Sequence, residues 1–329
     1  MADHTVDVLI AGQGAAGYTA GLYAARYGLA TVICGDTFGG ETATGGDIQN
    51  YPGWPSIDGF DLMLKFREQV SAYDVPLLDA DLADIERASD CFISTLADGT
   101  TVQSAAVILA IGRERRRLGL ANEAAWVGRG VSYCTTCDAP LYRGKSVAVV
   151  GGGDSAVEGA LLAAQHADEV RLIYRGSEFV RPAAVLLERL GAEPRVEVLL
   201  NTEVVELVGE ESGLRAIRVS GADGDQRVID IDGLFVEIGA DPRTAIAETL
   251  GVELNPATRE VHVDRMMRTD VEGIFAAGDL TDGSGPLKQT VTAAAQGAVA
   301  ALSAYQYVSE EGRRCAQHER GFALPPVAR

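Results

Sequence analysis

The chain has 329 residues, of which 47% are hydrophobic and 6% aromatic, with a formal net charge of −19 and a pI near 4.6. This composition supports packed cores and excludes a disordered chain, and the length predicts two domains at roughly 150 residues each. The negative charge excludes nucleic acids and anionic membranes as partners, because both would be repelled. The acidity fits either adaptation to high salt or a lineage bias in composition, so it does not indicate the reaction.

No run of about 18 apolar residues occurs, so the sequence predicts no membrane span. The N-terminal MADHTVDVLI carries acidic residues and leads directly into a strand, so we expect no signal peptide and a cytoplasmic location. An odd number of scattered cysteines, without a secretion signal, does not indicate a structural disulfide framework. The cysteines are Cys34, Cys91, Cys134, Cys137 and Cys315.

The first informative segment, VDVLIAGQGAAGYTAGLYAARYG, predicts a buried strand, a glycine turn and an alanine-rich helix. Gly12, Gly14 and Gly17 fit the dinucleotide fingerprint, in which the glycines allow a tight turn, close approach of a pyrophosphate and close helix packing. The phosphate would then lie at the helix N-terminus. The next strand, ATVICGD, has its acid, Asp36, displaced by two residues, so a contact of Asp36 with a ribose stays open.

The segment DCFISTLADGTTVQSAAVILAIG predicts a hairpin with an ADGT turn, followed by an apolar strand from Val107 to Ala110. Cys34 and Cys91 lie on apolar strands and are most simply small core residues.

The pair Cys134 and Cys137, in CTTCD, indicates redox chemistry. A C-x-x-C turn entering a helix brings two sulfurs within disulfide reach and lowers a thiol pKa by the charge at the helix end. Asp138 is a candidate acid or base for the thiol proton. A zinc site and a pair of unrelated core cysteines are the alternatives. A structural zinc site needs four ligands, and no second C-x-x-C or histidine cluster supplies them, so we expect no metal.

A second copy of the strand, glycine turn and helix follows in SVAVVGGGDSAVEGALLAAQHADEVRLIYR. It is either a second nucleotide site or a turn that has lost its ligand. An acid suited to the ribose of NAD is absent after the second strand, whereas Arg175 and Arg181 suit a 2′-phosphate. The sequence therefore favours NADPH. The residues expected to hold this nucleotide are Gly151, Gly153, Asp154, Ser155, Ala156, Arg175 and Arg181.

Each copy is followed by short strands with Gly/Asp turns and a final strand, the second of which is predicted from Gly233 to Ile238. The segment GIFAAGDLTDGSGPLKQTVTAAAQGAVAALSAYQYV then predicts a last strand and a long helix. We therefore predict an α/β fold of two Rossmann-like, three-layer ββα domains. The FAD-binding domain would be formed by residues 1–113 and 242–329, with residues 114–241 inserted as the NAD(P)-binding-like domain carrying the C-x-x-C.

Four segments give the chain a resemblance to the low-molecular-weight thioredoxin reductases: GQGAAGYTAGLYAARYG, GGETATGGDIQNYPGWP, GVSYCTTCDAPLYRGKSVAVVGGGDSAVEGA and AAGDLTDGSGPLKQTVTAAAQGAVAA. The resemblance implies FAD, a homodimer and a thioredoxin-like protein as partner. It also implies that Cys137 faces the flavin, that Cys134 attacks the partner's disulfide and that Asp138 moves the proton. The inserted domain would rotate about hinges near Arg113 and Ala240.

With the glycine pattern, the resemblance assigns residues from the whole first domain to the FAD site. They are Gly12, Gly14, Ala15, Ala16, Gly17, Asp36, Gly39, Gly40, Glu41, Asn50, Ala110, Gly112, Gly278, Asp279, Lys288, Gln289 and Thr290.

The sequence departs from the family at four places. Glu41 replaces a glutamine, Ala110-Ile111-Gly112 replaces Ala-Thr-Gly, and Lys288 replaces an arginine; these changes leave FAD binding intact. Tyr174-Arg175-Gly176 replaces His-Arg-Arg, and Arg181 lies one place late, which weakens the case for NADPH. Ferredoxin or another donor therefore stays an alternative, as does a redox-sensing flavoprotein without turnover.

The tail from Ser309 is polar and then Pro-containing, and is either a disordered end or a docked arm. Cys315, near His318, is either a third redox thiol or, as we prefer, an incidental surface cysteine. Phe322 is a candidate to cover a flavin face.

Overall fold

The structure is a computed structural model that describes residues 2–44, 47–211, 213–285 and 287–309, without the side chains of Asp47 and Cys137. The chain divides into two compact units. Unit 1 is formed by the chain up to Glu114 together with the chain from Pro242, and unit 2 is Arg115–Asp241. Each unit is built on a parallel sheet with helices, so the predicted α/β class with one Rossmann-like unit inserted in another is confirmed.

The elements follow in chain order. The first segment contains β1 (His4–Ala11), α1 (Ala15–Arg26), β2 (Thr31–Cys34), α2 (Gly40–Ala43), β3 (Asp47–Ile48), β4 (Ile57–Asp58), α3 (Gly59–Ser71), β5 (Leu77–Leu78), β6 (Leu82–Ala88), β7 (Cys91–Leu96), β8 (Thr101–Leu109) and β9 (Arg113–Arg115).

The second segment contains α4 (Glu123–Trp126), β10 (Val131–Ser132), α5 (Thr135–Asp138), β11 (Ser146–Val150), α6 (Asp154–Ala163), β12 (Glu169–Ile173), α7 (Ala184–Ala192), β13 (Val196–Leu199), β14 (Glu203–Glu210), β15 (Gly213–Ser220), β16 (Gln226–Asp230) and β17 (Gly233–Val236). The last segment contains β18 (Ala240–Pro242), α8 (Ala245–Thr249), β19 (Ile274–Ala276) and α9 (Thr290–Ser309). Short 3-10 turns occur at Ala139–Tyr142 and Gly278–Leu280.

Unit 1 is organised by one sheet in the order β5-β2-β1-β8-β7-β6, with β19 also paired to β8. Strands β5, β2, β1, β8 and β19 run parallel, whereas β6, β7 and the first half of β8 form an antiparallel meander. Val8, Leu9 and Ile10 of β1 are fully buried, since a central parallel strand is covered on both faces. The carboxyl ends of β1, β8 and β19 therefore meet at one edge of the sheet.

Unit 2 has three layers, which follow from the alternation of side chains along β11. Val147 and Val149 pack with apolar residues of α6, whereas Ala148 and Val150 pack with the antiparallel sheet β14-β15-β16. Successive residues of a strand point to opposite faces, so one strand contributes to two cores. The central sheet has the order β10-β17-β11-β12-β13, and all of its pairs are parallel.

Both copies of the strand, glycine turn and helix are confirmed, as β1-α1 and β11-α6-β12. Two strand predictions need correction. The strand predicted from Val107 to Ala110 is the end of β8, which stops at Leu109 and runs without a break from the hairpin into the parallel sheet. The strand predicted from Gly233 to Ile238 ends at Val236. In the described part of the chain, no helix combines the length and apolar composition that crossing a bilayer requires.

Candidate functional site

The first glycine turn joins β1 to α1 and leaves an open cradle. A Cβ on Gly12, whose φ is +117°, would lie 2.2 Å from the Ala110 carbonyl oxygen, and one on Gly17 would lie 1.8 Å from the Gly12 oxygen. A Cβ on Gly14, in contrast, would meet nothing within 4 Å. Gly14 is also the N-cap of α1, and no side chain caps it. Two glycines thus close the turn, and the third leaves the helix N-terminus accessible to a phosphate.

Two further glycine segments reach this turn from distant parts of the sequence. The Gly39 N–H donates to the Gln13 oxygen at 2.9 Å, and a Cβ on Gly40 would lie 3.4 Å from Gly14 Cα. A Cβ on Gly278 would lie 3.0 Å from Ala16 Cβ. Of the other predicted FAD residues, Ala15 lies in the first turn of α1, Glu41 in α2, and Ala110 and Gly112 directly after β8.

Polar side chains at the start of α9 join the same region. Asn50 Nδ2 donates to Gln289 Oε1 at 2.8 Å, and the hydroxyls of Thr290 and Thr42 lie 3.0 Å apart. The structure therefore brings Asn50, Gln289 and Thr290 together, although more than 200 residues separate Asn50 from the other two.

Asp279 lies in a charged network whose centre the sequence did not reveal. Glu260, with a side chain 5% exposed, is paired with both Arg113 and Lys288, and its oxygen lies 3.0 Å from Lys288 Nζ. Arg113 Nε also donates to the Asp279 carbonyl oxygen at 3.0 Å. Burial raises the pKa of the Asp279 carboxyl, while Arg113 and Lys288 oppose the rise. Glu260 follows no motif, so only the fold shows that it holds two cations in place.

Two buried glutamines also escaped sequence reasoning. Gln13, the variable residue between the first two fingerprint glycines, donates to the Gly35 oxygen at 2.6 Å and accepts from the Tyr18 hydroxyl at 2.8 Å. Gln296 of α9 accepts from the Gly278 N–H at 2.7 Å. Both amides fix the backbone that surrounds the cradle. The only sequence feature that could have indicated Gln296 is a glutamine within the run of small residues that forms α9.

Asp36 lies apart from this network. Its side chain is exposed and accepts from Thr37 Oγ1 at 2.7 Å, and its N–H donates to Asp81 Oδ1 at 3.1 Å. Its contact with a ribose stays a prediction. For the other residues, an open glycine cradle surrounded by fixed polar groups fits the pyrophosphate and sugar of a dinucleotide such as FAD.

The second glycine turn, between β11 and α6, is closed and open at the same positions as the first, but its third position is an alanine and not a glycine. A Cβ on Gly151 would lie 2.1 Å from the Glu237 oxygen, and one on Gly153 would meet nothing within 4 Å. The third position is Ala156, which is fully buried. Ser155 lies exposed in the first turn of α6, and Asp154 Oδ1 accepts from the Ala183 N–H at 2.8 Å. The N-terminus of α6 therefore has an open position for a phosphate, beside an acidic side chain.

Aromatic rings border this second turn. The Tyr174 ring stacks on Phe179, with centroids 5.3 Å apart and planes 7° from parallel. A Cβ on Gly152 would lie 2.1 Å from that ring, and one on Gly176 would lie 2.6 Å from it. Arg175 and Arg181 are exposed, and neither makes a hydrogen bond or ion pair with another described residue. The two arginines are thus available to a phosphate, while Tyr174 occupies the space against the turn.

The redox motif begins directly after β10. Ser132 Oγ accepts from the Cys134 N–H at 3.0 Å and donates to the Cys134 carbonyl oxygen at 3.2 Å. The Cys134 sulfur is in a disulfide bond. Because only the backbone of Cys137 is described, the pairing of Cys134 with Cys137 stays the sequence prediction. Helix α5 has four residues, and the Asp138 N–H donates to the Cys134 oxygen at 3.2 Å. So short a helix contributes less end charge than expected.

The remaining cysteines differ from one another. Cys34 is free and fully buried on β2, and burial raises the pKa of its thiol to about 12, so it is the inert core residue that was predicted. Cys91 is buried on β7 as predicted, but its sulfur is in a disulfide bond, so the interpretation of Cys91 as a simple core residue is wrong. Cys315, His318 and Phe322 lie outside the described residues. Across the described ranges, no group of three or more His, Cys, Asp or Glu side chains could hold a metal ion.

Known proteins are similar to this chain in sequence and in fold over most of its length. Residues 6–297 match the family described as "Pyridine nucleotide-disulphide oxidoreductase". A thioredoxin reductase of Mycolicibacterium smegmatis is 38% identical over 310 residues, which are 93% of this chain and 97% of the relative. A bifunctional thioredoxin reductase/thioredoxin of Mycobacterium leprae is 36% identical, over 92% of this chain and 66% of the relative. The crystal structure of Lactococcus lactis thioredoxin reductase superposes with a TM-score of 0.86 at 30% identity, covering 92% of this chain and 99% of the other.

Proposed function

The chain belongs to the pyridine nucleotide-disulphide oxidoreductase family, as a low-molecular-weight thioredoxin reductase, and on that premise we propose that it reduces the disulfide of a thioredoxin-like protein with electrons from NADPH. The observation that carries the proposal is the redox motif at the start of α5, in the unit that also holds the second glycine turn. The relative from Mycobacterium leprae, whose name joins both proteins, supports thioredoxin as the partner class.

The chemistry that the motif performs is thiol–disulfide exchange. Cys134, as thiolate, attacks one sulfur of the partner's disulfide, and the bond between the partner's sulfurs breaks as a mixed disulfide forms. The thiolate of Cys137 then attacks the Cys134 sulfur, so the partner leaves as a dithiol and the motif returns to its disulfide. Asp138, next to Cys137 in the chain, moves the proton that the leaving thiolate takes up. Two electrons and two protons reach the partner in each cycle.

Unit 1 is the proposed FAD domain and unit 2 the proposed NADPH domain. FAD, when bound, supplies the two-electron chemistry that links a nicotinamide hydride to a disulfide. In unit 1, Gly14 leaves the α1 N-terminus open to the pyrophosphate, and the Glu260 network fixes the backbone around Asp279. In unit 2, Arg175 and Arg181 are the groups proposed to bind the 2′-phosphate. The hinges predicted near Arg113 and Ala240 fall on β9 and β18, which pair as a two-stranded sheet.

A second candidate keeps the thiol chemistry and changes the donor to ferredoxin or another reductant. The observation that favours it is the missing arginine at position 176, where the family has its second arginine and this chain has Gly176. The Tyr174 ring lies against Gly176 and against Gly152 of the glycine turn. The exposed acid Asp154 at the start of α6 also disfavours an anionic ligand there.

An anaerobic titration of the flavoprotein with NADPH, and separately with NADH, tests the donor. We expect the flavin absorbance to bleach within seconds with NADPH and more slowly with NADH, because only NADPH has a 2′-phosphate for the arginines to bind. No bleaching with either nucleotide, together with bleaching by reduced ferredoxin, would replace the first candidate with the second. A flavoprotein that passes no electrons to any disulfide protein, even after chemical reduction, would instead be a sensor.

The dithiol role has its own test in Cys134→Ser. This variant should retain FAD, because the flavin residues lie in the other unit, and should lose disulfide reduction by more than about a thousandfold. Cys34→Ser is the matched control, since that thiol is buried and unreactive.

The proposal includes a homodimer and a cytoplasmic location. Apolar side chains on unit 1, including Tyr23, Val291 and Tyr305, are more than one third exposed, which is the kind of surface that a second copy would cover. Light scattering of the holoprotein tests the dimer, and a single-chain mass would refute it. Cell fractionation tests the location. A redox motif of this kind is expected in a reducing compartment, where its disulfide is reduced again after each cycle.

A further inference from the structure

Glu237 follows β17 directly, at the carboxyl end of a central parallel strand of unit 2. Its N–H donates to the Val150 oxygen at 2.8 Å, and its side chain is 8% exposed. A buried carboxylate costs free energy unless it is paired, so its partners show what it holds in place.

The two carboxylate oxygens of Glu237 have different partners. Oε1 accepts from Thr135 Oγ1 at 2.9 Å and lies 3.4 Å from the Thr135 nitrogen. Oε2 pairs with Arg115 Nη1 at 2.9 Å. Thr135 stands between Cys134 and Cys137 as the first residue of α5, and Arg115 ends β9. One acidic side chain thus connects the redox motif to the strand that leads into unit 2.

Thr135 has no room to turn away from this contact. It is 2% exposed, and a Cβ on Gly159 of α6 would lie 3.0 Å from its hydroxyl. The hydroxyl is therefore enclosed between α6 and the Glu237 carboxylate.

We propose that Glu237 is a positioning residue of the redox motif, which orients Thr135 and sets how readily Cys134 ionises. The inference rests on the proposed role of Cys134 as the attacking thiol. The carboxylate contacts the residue next to Cys134, whereas Arg115 contacts the farther oxygen. Like charges disfavour ionisation, so the nearer carboxylate holds back the thiolate, and Arg115 offsets it. The other charged groups on these elements are Asp138 of α5, Asp154 and Glu158 of α6, and Arg113 and Glu114 of β9. Of these, Glu158 interacts electrostatically with Glu237.

Two substitutions should move the Cys134 thiol pKa in opposite directions. Glu237→Gln removes the negative charge of the carboxylate and leaves the positive charge of Arg115, so the Cys134 thiol pKa should fall by roughly one unit. Arg115→Gln should raise the Cys134 thiol pKa, because the positive charge of Arg115 then no longer offsets the carboxylate. If Glu237 and Arg115 had a purely structural role, the two substitutions would shift the Cys134 thiol pKa in the same direction or would leave it unchanged.

The experiment measures alkylation of Cys134 by iodoacetamide from pH 5 to 9, in holoprotein reduced chemically and handled without oxygen, with the modified residue identified by mass spectrometry. In Glu237→Gln, the rate at pH 6 should rise about three- to fivefold; tenfold more thiolate forms, but a less basic thiolate is less nucleophilic. Arg116→Gln and Asp241→Asn are matched controls, because Arg116 directly follows β9, Asp241 lies on β18, and both side chains of this ion pair are more than half exposed. They should shift the pKa by less than about 0.2 unit.

Unchanged or parallel shifts in the two variants would overturn the proposal. If Glu237→Gln does not fold, Arg115→Gln alone decides, because Arg115 is partly exposed and an unchanged thiol pKa in that variant has the same consequence. Alkylation needs no turnover, so the result is separate from the proposed function. A chain that reduces no partner can still show the opposite shifts, and an active one can fail to show them.

Discussion

The two glycine turns of this chain share a local sequence pattern but differ in what surrounds them. The first is enclosed by backbone from three distant segments and by the Glu260 network, whereas the second is bordered by the Tyr174 ring and two exposed arginines. The strand, turn and helix are thus a common frame, and the residues after the neighbouring strands determine what each frame can bind. The fingerprint therefore predicts a cradle, whereas the ligand of each cradle has to be inferred from the residues that surround it.

The largest difference should appear at the third position of each fingerprint. Gly17→Ala places a Cβ 1.8 Å from the Gly12 oxygen, so the turn must open, and we expect loss of FAD and a destabilisation of about 2–3 kcal/mol. The matched change in unit 2, Ala156→Gly, should cost only about 1 kcal/mol and leave FAD bound. Flavin content after gel filtration and denaturant unfolding measure both variants. Equal flavin loss in the two would show that the copies do not differ in this way.

The Glu260 network provides the next test, because this buried acid is paired with two cations, Arg113 and Lys288. Glu260→Ala leaves Arg113 and Lys288 without their buried acid, and breaking such a cluster should cost about 3 kcal/mol. The released FAD fraction should rise on mild heating. Glu248→Ala, which removes an exposed acid paired with Arg259, is the control and should cost under about 0.5 kcal/mol. Similar values for the two would mean that burial of Glu260 contributes nothing.

Local patterns explain why much of the fold could be predicted. The apolar run of β1, the glycines after it and the alanine-rich α1 are close together in the sequence, and so are β11, its glycines and α6, so their periodicity is visible directly. The redox motif is equally local. The continuity of β8 could not be predicted. Its first residues pair with β7 and nearly its whole length pairs with β1, and tertiary contacts determine which partner each part of the strand has.

Contacts that join distant residues were beyond sequence reasoning. Glu237 meets Thr135 across 102 positions and Glu260 meets Arg113 across 147, and neither acid belongs to a motif. The only local signal for Glu237 was a single acid at the end of the apolar run GLFV. The length of α5 and the disulfide state of Cys91 depend in the same way on tertiary contacts.

A smaller effect should separate Arg175 from Arg181. Loss of a charge-assisted contact to the 2′-phosphate costs about 1.4 kcal/mol, so Arg175→Ala should raise the KM for NADPH about tenfold with kcat unchanged. The KM for NADH should not change. Arg181→Ala should have a smaller effect, because it lies farther along the chain from β12. Arg189→Ala on α7, which carries the same charge change, is the control. A parallel rise in both KM values would mean that the arginine supports the fold and does not read the phosphate.

The smallest effect concerns the pair of His262 and Asp282, in which the histidine is exposed and lies only two residues from Glu260. His262 Nδ1 lies 2.8 Å from Asp282 Oδ2, and this hydrogen bond is the first cause that raises the pKa of His262. A raised histidine pKa means that the stabilisation is complete below the unfolded value near 6.5 and is lost as the pH rises through the folded value. Because His262 is 56% exposed, we expect His262→Gln to cost under about 0.5 kcal/mol at pH 6 and nothing measurable at pH 9. Denaturant unfolding at both pH values measures the difference, and 1 M salt should reduce it. An equal cost at both pH values would show that the pair acts by packing, and the contrast between the buried Glu260 network and its exposed neighbour would then rest on Glu260 alone.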